Sequence, residues 1–404
     1  VLNCGSSSLK FQLIETDPQR MENDKEEVLA DGQVEKIGQA ESIVSYKTNR
    51  GDKIKENHVV LEHATAVQLI LEYMTHAKHG VIEKVADIEA VGHRVVHGGE
   101  NFSESSIIDK EVLEKIRECV PLAPLHNPPN ILGYEVAAQM LPNIPQIAVF
   151  DTAFHQTMPD YAYIYALPYS LYERFQIRRY GFHGSSHRYV VQRLAKIIGQ
   201  PMDSINAITV HIGNGCSMAA IRNGKSIDTS MGMTPLEGLV MGTRAGDIDP
   251  AIILFLMEKE DLEIDQANNL LNKHSGVAGV AGLGNDMREV EDAMFTNDRA
   301  RLAVDIYCYR IRKYIGAYAA ALGSVDHIIF TAGVGQNSDI IRQKVCENLE
   351  WFGIKIDKER NVSMNRKEGV INSDDSRVKI WIIPTNEEIV IARDTMQCVL
   401  ASRK

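Results

Sequence analysis

The chain has 404 residues, 44 % of them hydrophobic and 24 % charged, and a net charge of −11. This excludes a disordered, collagenous or fibrous chain and predicts two or three globular domains. An acidic chain without a run of five Lys/Arg is a poor nucleic-acid binder, and no stretch approaches the ~18 apolar residues of a membrane-spanning helix.

Short apolar runs alternate with longer helical patterns, which predicts an α/β fold. The opening Val1–Gly5 has no basic region of a signal peptide, and the six cysteines are scattered without a C-x-x-C pair. Reduced, mostly buried thiols in a cytoplasmic protein are expected, without a structural zinc site. Strands are expected at 11–14, 90–96, 146–150, 207–212, 327–330 and 379–383. Helices are expected at 64–76, 109–120, 130–140, 186–198, 250–258, 299–322 and 386–400. Residues 38–57 are polar and poorly periodic, and read as short strands and loops.

One internal echo stands out. Asn3-Cys4-Gly5-Ser6-Ser7-Ser8 joins two strands near the start, and Gly213-Asn214-Gly215-Cys216-Ser217 joins two strands mid-chain. Such turns aim backbone N–H groups at one spot and let an anion approach closely. Either alone could be an ordinary hairpin turn. The pair suggests a duplicated domain with one phosphate-binding hairpin per half.

Other motifs fail. Asn223-Gly224-Lys225-Ser226 lacks the first glycine of a Walker A loop, where Ala219 stands, and reads as a hairpin turn. Gly333-x-Gly335 and Gly282-x-Gly284 lack the third small residue of a dinucleotide fingerprint. Three features survive. The strand before Thr331-Ala332-Gly333-Val334-Gly335-Gln336-Asn337 runs into a Gly-rich turn before a helix, a nucleotide-binding geometry. Asp151 follows a buried strand, where ligands bind in α/β sheets; it reads equally as a cap or as a partner of Mg2+-bound water. Gly-flanked cations recur at His93-Arg94, His183 and Arg244, and suit a carboxylate or phosphate. His93 and His187 read as satisfied core groups.

With these residues assembled, the sequence resembles the acetate kinase family, in the acetate and sugar kinase, Hsc70 and actin superfamily. The resemblance spans essentially the whole chain. It rests on Asn3-x-Gly5-Ser6-Ser7-Ser8-x-Lys10, His93-Arg94-Val95-Val96-His97-Gly98-Gly99, Pro124-Leu125-His126-Asn127-Pro128-Pro129, Phe150-Asp151-Thr152-Ala153-Phe154-His155, Tyr180-Gly181-Phe182-His183-Gly184-Ser185-Ser186-His187, His211-Ile212-Gly213-Asn214-Gly215, Gly242-Thr243-Arg244-x-Gly246-Asp247-x-Asp249-Pro250, and Pro384-Thr385-Asn386-Glu387-Glu388.

The resemblance implies duplicated ribonuclease H-like domains of the actin/Hsc70 type with a cleft between them. Domain I would comprise 1–151 plus 385–404, and domain II, nucleotide-binding and dimerising, 152–384. It implies reversible phosphoryl transfer from ATP to acetate, with Mg2+ or Mn2+, in a cytoplasmic homodimer with no nucleic-acid or membrane partner. Asn3 and Glu387 would hold the metal. Ser6, Ser8 and Lys10 would face phosphate. Arg94, His126, Asp151, His183, Asn214 and Arg244 would line the active site, with Val96, Leu125, Phe182 and Pro235 around the methyl group. His211, Ile212, Gly213, Asn214 and Gly215, then Asp286, Met287 and Arg288, then the turn from Ala332 to Asn337, would bind ATP.

The family's chains usually start a few residues earlier, so the first strand is expected to lack its beginning. Gln336 stands where the family commonly has Glu, and Ala332 where it often has Gly; both are expected beside the adenosine. A carboxylate acceptor is already an anion and needs no general base. The expected arrangement is Arg94 on that carboxylate, Arg244 and His183 on the oxygens in flight, and Asp151 orienting metal-bound water or the arginines. The rival readings are a propionate or butyrate kinase of the same family, and a non-catalytic ATP-binding module of the Hsc70 or actin type.

Overall fold

A computed structural model describes residues 1–403, which form two compact units. One comprises Val1–Ala153 and the chain from Asn386 onward, the other Phe154–Thr385. Each is built on one sheet.

The first sheet contains β1 (Leu2–Cys4), β2 (Ser8–Glu15), β3 (Glu27–Glu35), β4 (Ser42–Thr48), β5 (Lys53–His58), β6 (Val91–Val95), β7 (Ser106–Ile107) and β8 (Gln146–Phe150), in the order β5-β4-β3-β2-β1-β6-β8-β7. β1, β2 and β3 pair antiparallel, while β1, β6 and β8 run parallel. The second contains β9 (Ala207–Ile212), β10 (Cys216–Arg222), β11 (Lys225–Thr229), β12 (His327–Thr331), β13 (Gly369–Val370) and β14 (Lys379–Ile382), in the order β11-β10-β9-β12-β14-β13. β9, β10 and β11 pair antiparallel, while β9, β12 and β14 run parallel. The succession β3-β2-β1-β6-β8 therefore recurs as β11-β10-β9-β12-β14. That is the duplication suggested by the two small-residue turns, in a mixed α/β fold.

The central parallel strands are buried on both faces, which explains their continuous apolar runs. Every residue of Gln146–Phe150 is buried. Ala148 and Phe150 pack with Val95, Phe102 and Ile116, while Ile147 and Val149 pack with Ile391 and Val399 of the C-terminal helix Glu387–Ser402. In the second unit, Val190, Val191 and Leu194 of the helix Gly184–Ile198 cover Ile329, Trp381 and Ala219.

The short strands expected within 38–57 are present, and one other expectation needs correction. Residues 38–57 contain a regular hairpin, β4 against β5 in register from Ser42↔His58 to Lys47↔Lys53. Ser42, Val44 and Tyr46 alternate inward, but β5 is almost wholly solvent-facing, so its pattern is weak. The Gly-rich stretch after β12 does precede a helix, Asp339–Cys346, but it is not a turn; it is itself the short helix Ala332–Asn337, entered through Ala332 at φ +63°. The turn Asn223-Gly224, both residues at positive φ, is the hairpin between β10 and β11.

Candidate active site

The first unit gathers charge at the carboxyl ends of β6 and β8. Arg94 leaves β6 half-buried, and Asp151, 1 % exposed, follows β8. Because β6 and β8 are parallel neighbours, the two side chains meet. Arg94 Nε lies 3.1 Å from both Asp151 oxygens, and Nη2 lies 2.6 Å from Oδ2. Glu387, at the first turn of the C-terminal helix, has Oε2 3.9 Å from Arg94 Nε. Burial works against the Arg94 charge, but Asp151 and Glu387 more than offset it and hold its pKa up. Burial raises the Glu387 carboxyl to about 7; Arg94 and Lys10 act against that rise, and Asp151 and Glu388 add to it.

Asn3 is the middle residue of β1, which neighbours β6 in the sheet order, and Lys10 pairs with it across the hairpin. Ser6 is exposed in the turn, where Gly5 N–H donates to Ser8 O at 2.8 Å. His126 is the half-buried residue before the helix Asn127–Met140. Val96 is buried and Leu125 exposed. Two buried amides hold these loops, and sequence reasoning assigns neither a role. Asn127 Oδ1 accepts from His97 N–H, and Asn130 Oδ1 accepts from Val96 N–H while its Nδ2 donates to Cys4 O at 2.8 Å. Asn127 is visible in its Pro-flanked motif; a buried amide tying two strand ends is invisible without the sheet order.

The second unit gathers its expected residues around the β9–β10 turn. Gly242 N–H donates to Asn214 O at 3.1 Å, and Asn285 Nδ2 donates to Asn214 Oδ1 at 2.9 Å. These bonds bring the Arg244 loop and the Asp286 segment to Gly213–Gly215. A Cβ placed on Gly213 would meet Ala332 Cβ at 3.8 Å and Gly333 N at 3.9 Å, so the Ala332–Asn337 helix closes the group. Gly333 opens onto free space, while Arg342, fully buried, donates to Gly335 O at 2.9 Å and pins that helix. Ile212 and Met287 are buried, whereas Arg288 is 88 % exposed and paired with Asp286. Val334 and Gln336 are partly buried and Asn337 is exposed.

His183 begins the helix Gly184–Ile198 in a left-handed conformation, φ +58°, which costs a non-glycine residue about 1–2 kcal/mol. His155 Nε2 meets the Phe182 carbonyl at 3.1 Å and fixes this turn. The His183 ring stacks on His211, with centroids 4.2 Å apart. A Cβ on Gly215 would lie 3.3 Å from His183 Cε1, 3.5 Å from its Nε2 and 3.8 Å from Arg244 Nη1, so the imidazole and the guanidinium flank one glycine. Arg244 bonds Pro235 O at 3.1 Å, and burial lowers its pKa. No carboxylate lies within ion-pair distance of it among the described residues. A half-buried guanidinium answered by carbonyl and thioether alone is suited to receive an anion.

The Arg244 guanidinium and the His183 ring beside a glycine turn suit the handling of phosphate. A model of the acetokinase family matches residues 1–393. The acetate kinase of Caldanaerobacter subterraneus subsp. tengcongensis is 53 % identical over 401 residues, covering 99 % of this chain and 98 % of the relative. That of Carboxydothermus hydrogenoformans is 52 % identical with the same coverage. Among solved structures, Porphyromonas gingivalis acetate kinase aligns with a TM-score of 0.92 at 50 % identity, and a propionate kinase from Francisella tularensis with 0.90 at 42 %, each covering 98 % of both chains. With matches of this extent and depth, the chain belongs to the acetokinase family.

Proposed function

We propose that this chain is an acetate kinase, which transfers the γ-phosphoryl group of ATP to acetate, reversibly, giving acetyl phosphate and ADP. The observation that carries the reading is the state of Asp151. Arg94 engages both its oxygens, so this strand-end carboxylate is no free base. An alcohol acceptor would need a base; a carboxylate brings its own negative charge. What remains is to bring two anions together, which depends on positioning and charge neutralisation.

Arg94 Nε and Nη2 are spent on Asp151, and Nη1 receives the acetate carboxylate. Arg244 and His183 meet the equatorial oxygens of the phosphoryl group. The Asn214 turn, the Asp286 segment and the Ala332–Asn337 helix bind the nucleotide. In the first unit, Val96 and Leu125 take the methyl group. Asn3 and Glu387 fit Mg2+. No cluster of three or more His, Cys, Asp or Glu able to hold a metal exists among the described residues, and Mg2+ is commonly bound through one or two carboxylates plus water and substrate phosphates. The chemistry Mg2+ supplies when bound is neutralisation of phosphate charge. ATP as donor supports a cytoplasmic setting. The exposed Leu254, Phe255 and Ile264 of the second unit support a homodimer, which sedimentation would test.

The test is a hydroxamate assay with Mg-ATP and acetate, propionate or butyrate. Acyl phosphate should form best with acetate. Propionate should overlap, since one methylene is worth only about 1–3 kcal/mol. No acyl phosphate with any acid, or a slow ATPase indifferent to acetate, overturns the reading.

A further inference from the structure

Behind His183 lies a row of buried polar groups that the reaction itself does not call on. His183 Nδ1 is 2.9 Å from Ser217 Oγ. The same hydroxyl is 2.8 Å from His187 Nε2, and His187 Nδ1 is 2.7 Å from Thr209 Oγ1. Ser217, His187 and Thr209 are all fully buried. They stand on adjacent elements: Thr209 on β9, Ser217 on β10 and His187 one helical turn after His183.

The direction of this row follows from proton counting. Burial holds the His187 pKa well below the usual value, so its ring is neutral, with one N–H and one lone pair. Thr209 has one hydroxyl proton. It can go to His187 Nδ1 at 2.7 Å or to Ala219 O at 3.4 Å, and the second distance is beyond an ordinary O–H···O bond. Thr209 therefore donates to Nδ1. His187 must then carry its proton on Nε2 and donate to Ser217 Oγ. The Ser217 proton is left for His183 Nδ1.

We propose that Thr209, His187 and Ser217 form a one-way hydrogen-bond chain that holds neutral His183 as its Nε2–H tautomer. The ring then presents an N–H donor at the edge that faces the Gly215 turn and Arg244, without having to be charged. The three are positioning residues. The assignment rests on the kinase reading solely for what that donor meets, the phosphoryl group in flight. It also accounts for buried hydroxyls inside two largely apolar strands, where unpaired they would be costly.

The experiment is 15N imidazole spectroscopy of the full chain without substrate, with His183→Asn assigning the signal, beside steady-state kinetics. In the parent, His183 and His187 should both appear as neutral Nε2–H rings. Ser217→Ala should turn His183 into a mixture of tautomers, and Thr209→Val should do so from one step further away. In both, kcat should fall about tenfold with little change in KM, a fraction of the ~10²–10³ that outright loss of a transition-state donor costs. Thr209→Ser keeps the hydroxyl and should keep the parent spectrum and rate. An Nδ1–H ring at His183 in the parent overturns the proposal. So do parent-like spectra in Ser217→Ala and Thr209→Val, or altered tautomers with unchanged kcat. Because the spectra need no turnover, a wrong tautomer and a wrong reaction are told apart.

Discussion

Arg94 and Arg244 carry the same charge under opposite conditions. Arg94 answers a carboxylate that is 1 % exposed, and Arg244 answers none among the described residues. Arg94→Ala should therefore cost both activity and stability. Turnover should drop ~10³-fold or more, as for other phosphoryl clamps. Leaving Asp151 buried without its partner should cost about 3 kcal/mol. Arg244→Ala should lower kcat as much while leaving the melting temperature near that of the parent. The hydroxamate assay and a thermal melt separate the two; equal melting losses would refute the contrast. Sequence marks both arginines through their glycine neighbours, and Asp151 through its place after an apolar run. It does not mark Thr209, and it marks Ser217 only as part of a phosphate-binding turn, because the partner of a hydroxyl within a buried strand is hidden until the facing residue is known.

Close approach of backbones fixes how the elements carry these groups. Gly92 on β6 lies under the C-terminal helix: a Cβ there would sit 2.6 Å from Ile391 Cγ2 and overlap Thr395 Oγ1. That helix starts with Glu387. Gly92→Ala should destabilise by about 1–3 kcal/mol, as overpacking does, and should raise the Mg2+ concentration needed for half-maximal rate because Glu387 is displaced. Denaturant melts and Mg2+ titration of the rate check this; an unchanged Mg2+ requirement would show that the helix slides without moving its first turn. Gly215→Ala should instead crowd His183 at 3.3 Å and lower kcat with little loss of stability. Strands such as Gln146–Phe150 and Ala207–Ile212 are legible to the residue, since burial on both faces leaves an almost unbroken apolar run. The β4–β5 hairpin is obscured because one of its strands lies open to water, and the Ala332–Asn337 helix because a short run rich in glycine looks like loop.

Over the whole molecule, buried neutral histidines make the fold sensitive to acid. Burial lowers His93 and His155 to about 4, and holds His187 well below the usual value. The unfolded chain takes up these protons below about pH 6.5 while the folded one does not, so stability present above that pH is lost as pH falls toward 4. Each ring contributes up to about 1.4 kcal/mol per pH unit in that window. Urea melts between pH 7 and 4.5 should show the loss, and His93→Gln, which removes the ring bonded to Gln146, should flatten the slope. An unchanged slope would mean that carboxylates dominate. The duplicated strand order is legible in outline from two matching turns. Which helix covers which sheet is not, because that depends on contacts between residues hundreds of positions apart, such as Ser105 with Asp394 and Arg393 with Asp24. Those contacts have a consequence for biosynthesis. The N-terminal sheet emerges from the ribosome first, yet Ile147 and Val149 gain their cover when Ile391 and Val399 have been translated. The later-made Phe154–Thr385 unit has its full complement of chain sooner, so its core can close while the first-made sheet still lacks the helix that covers it.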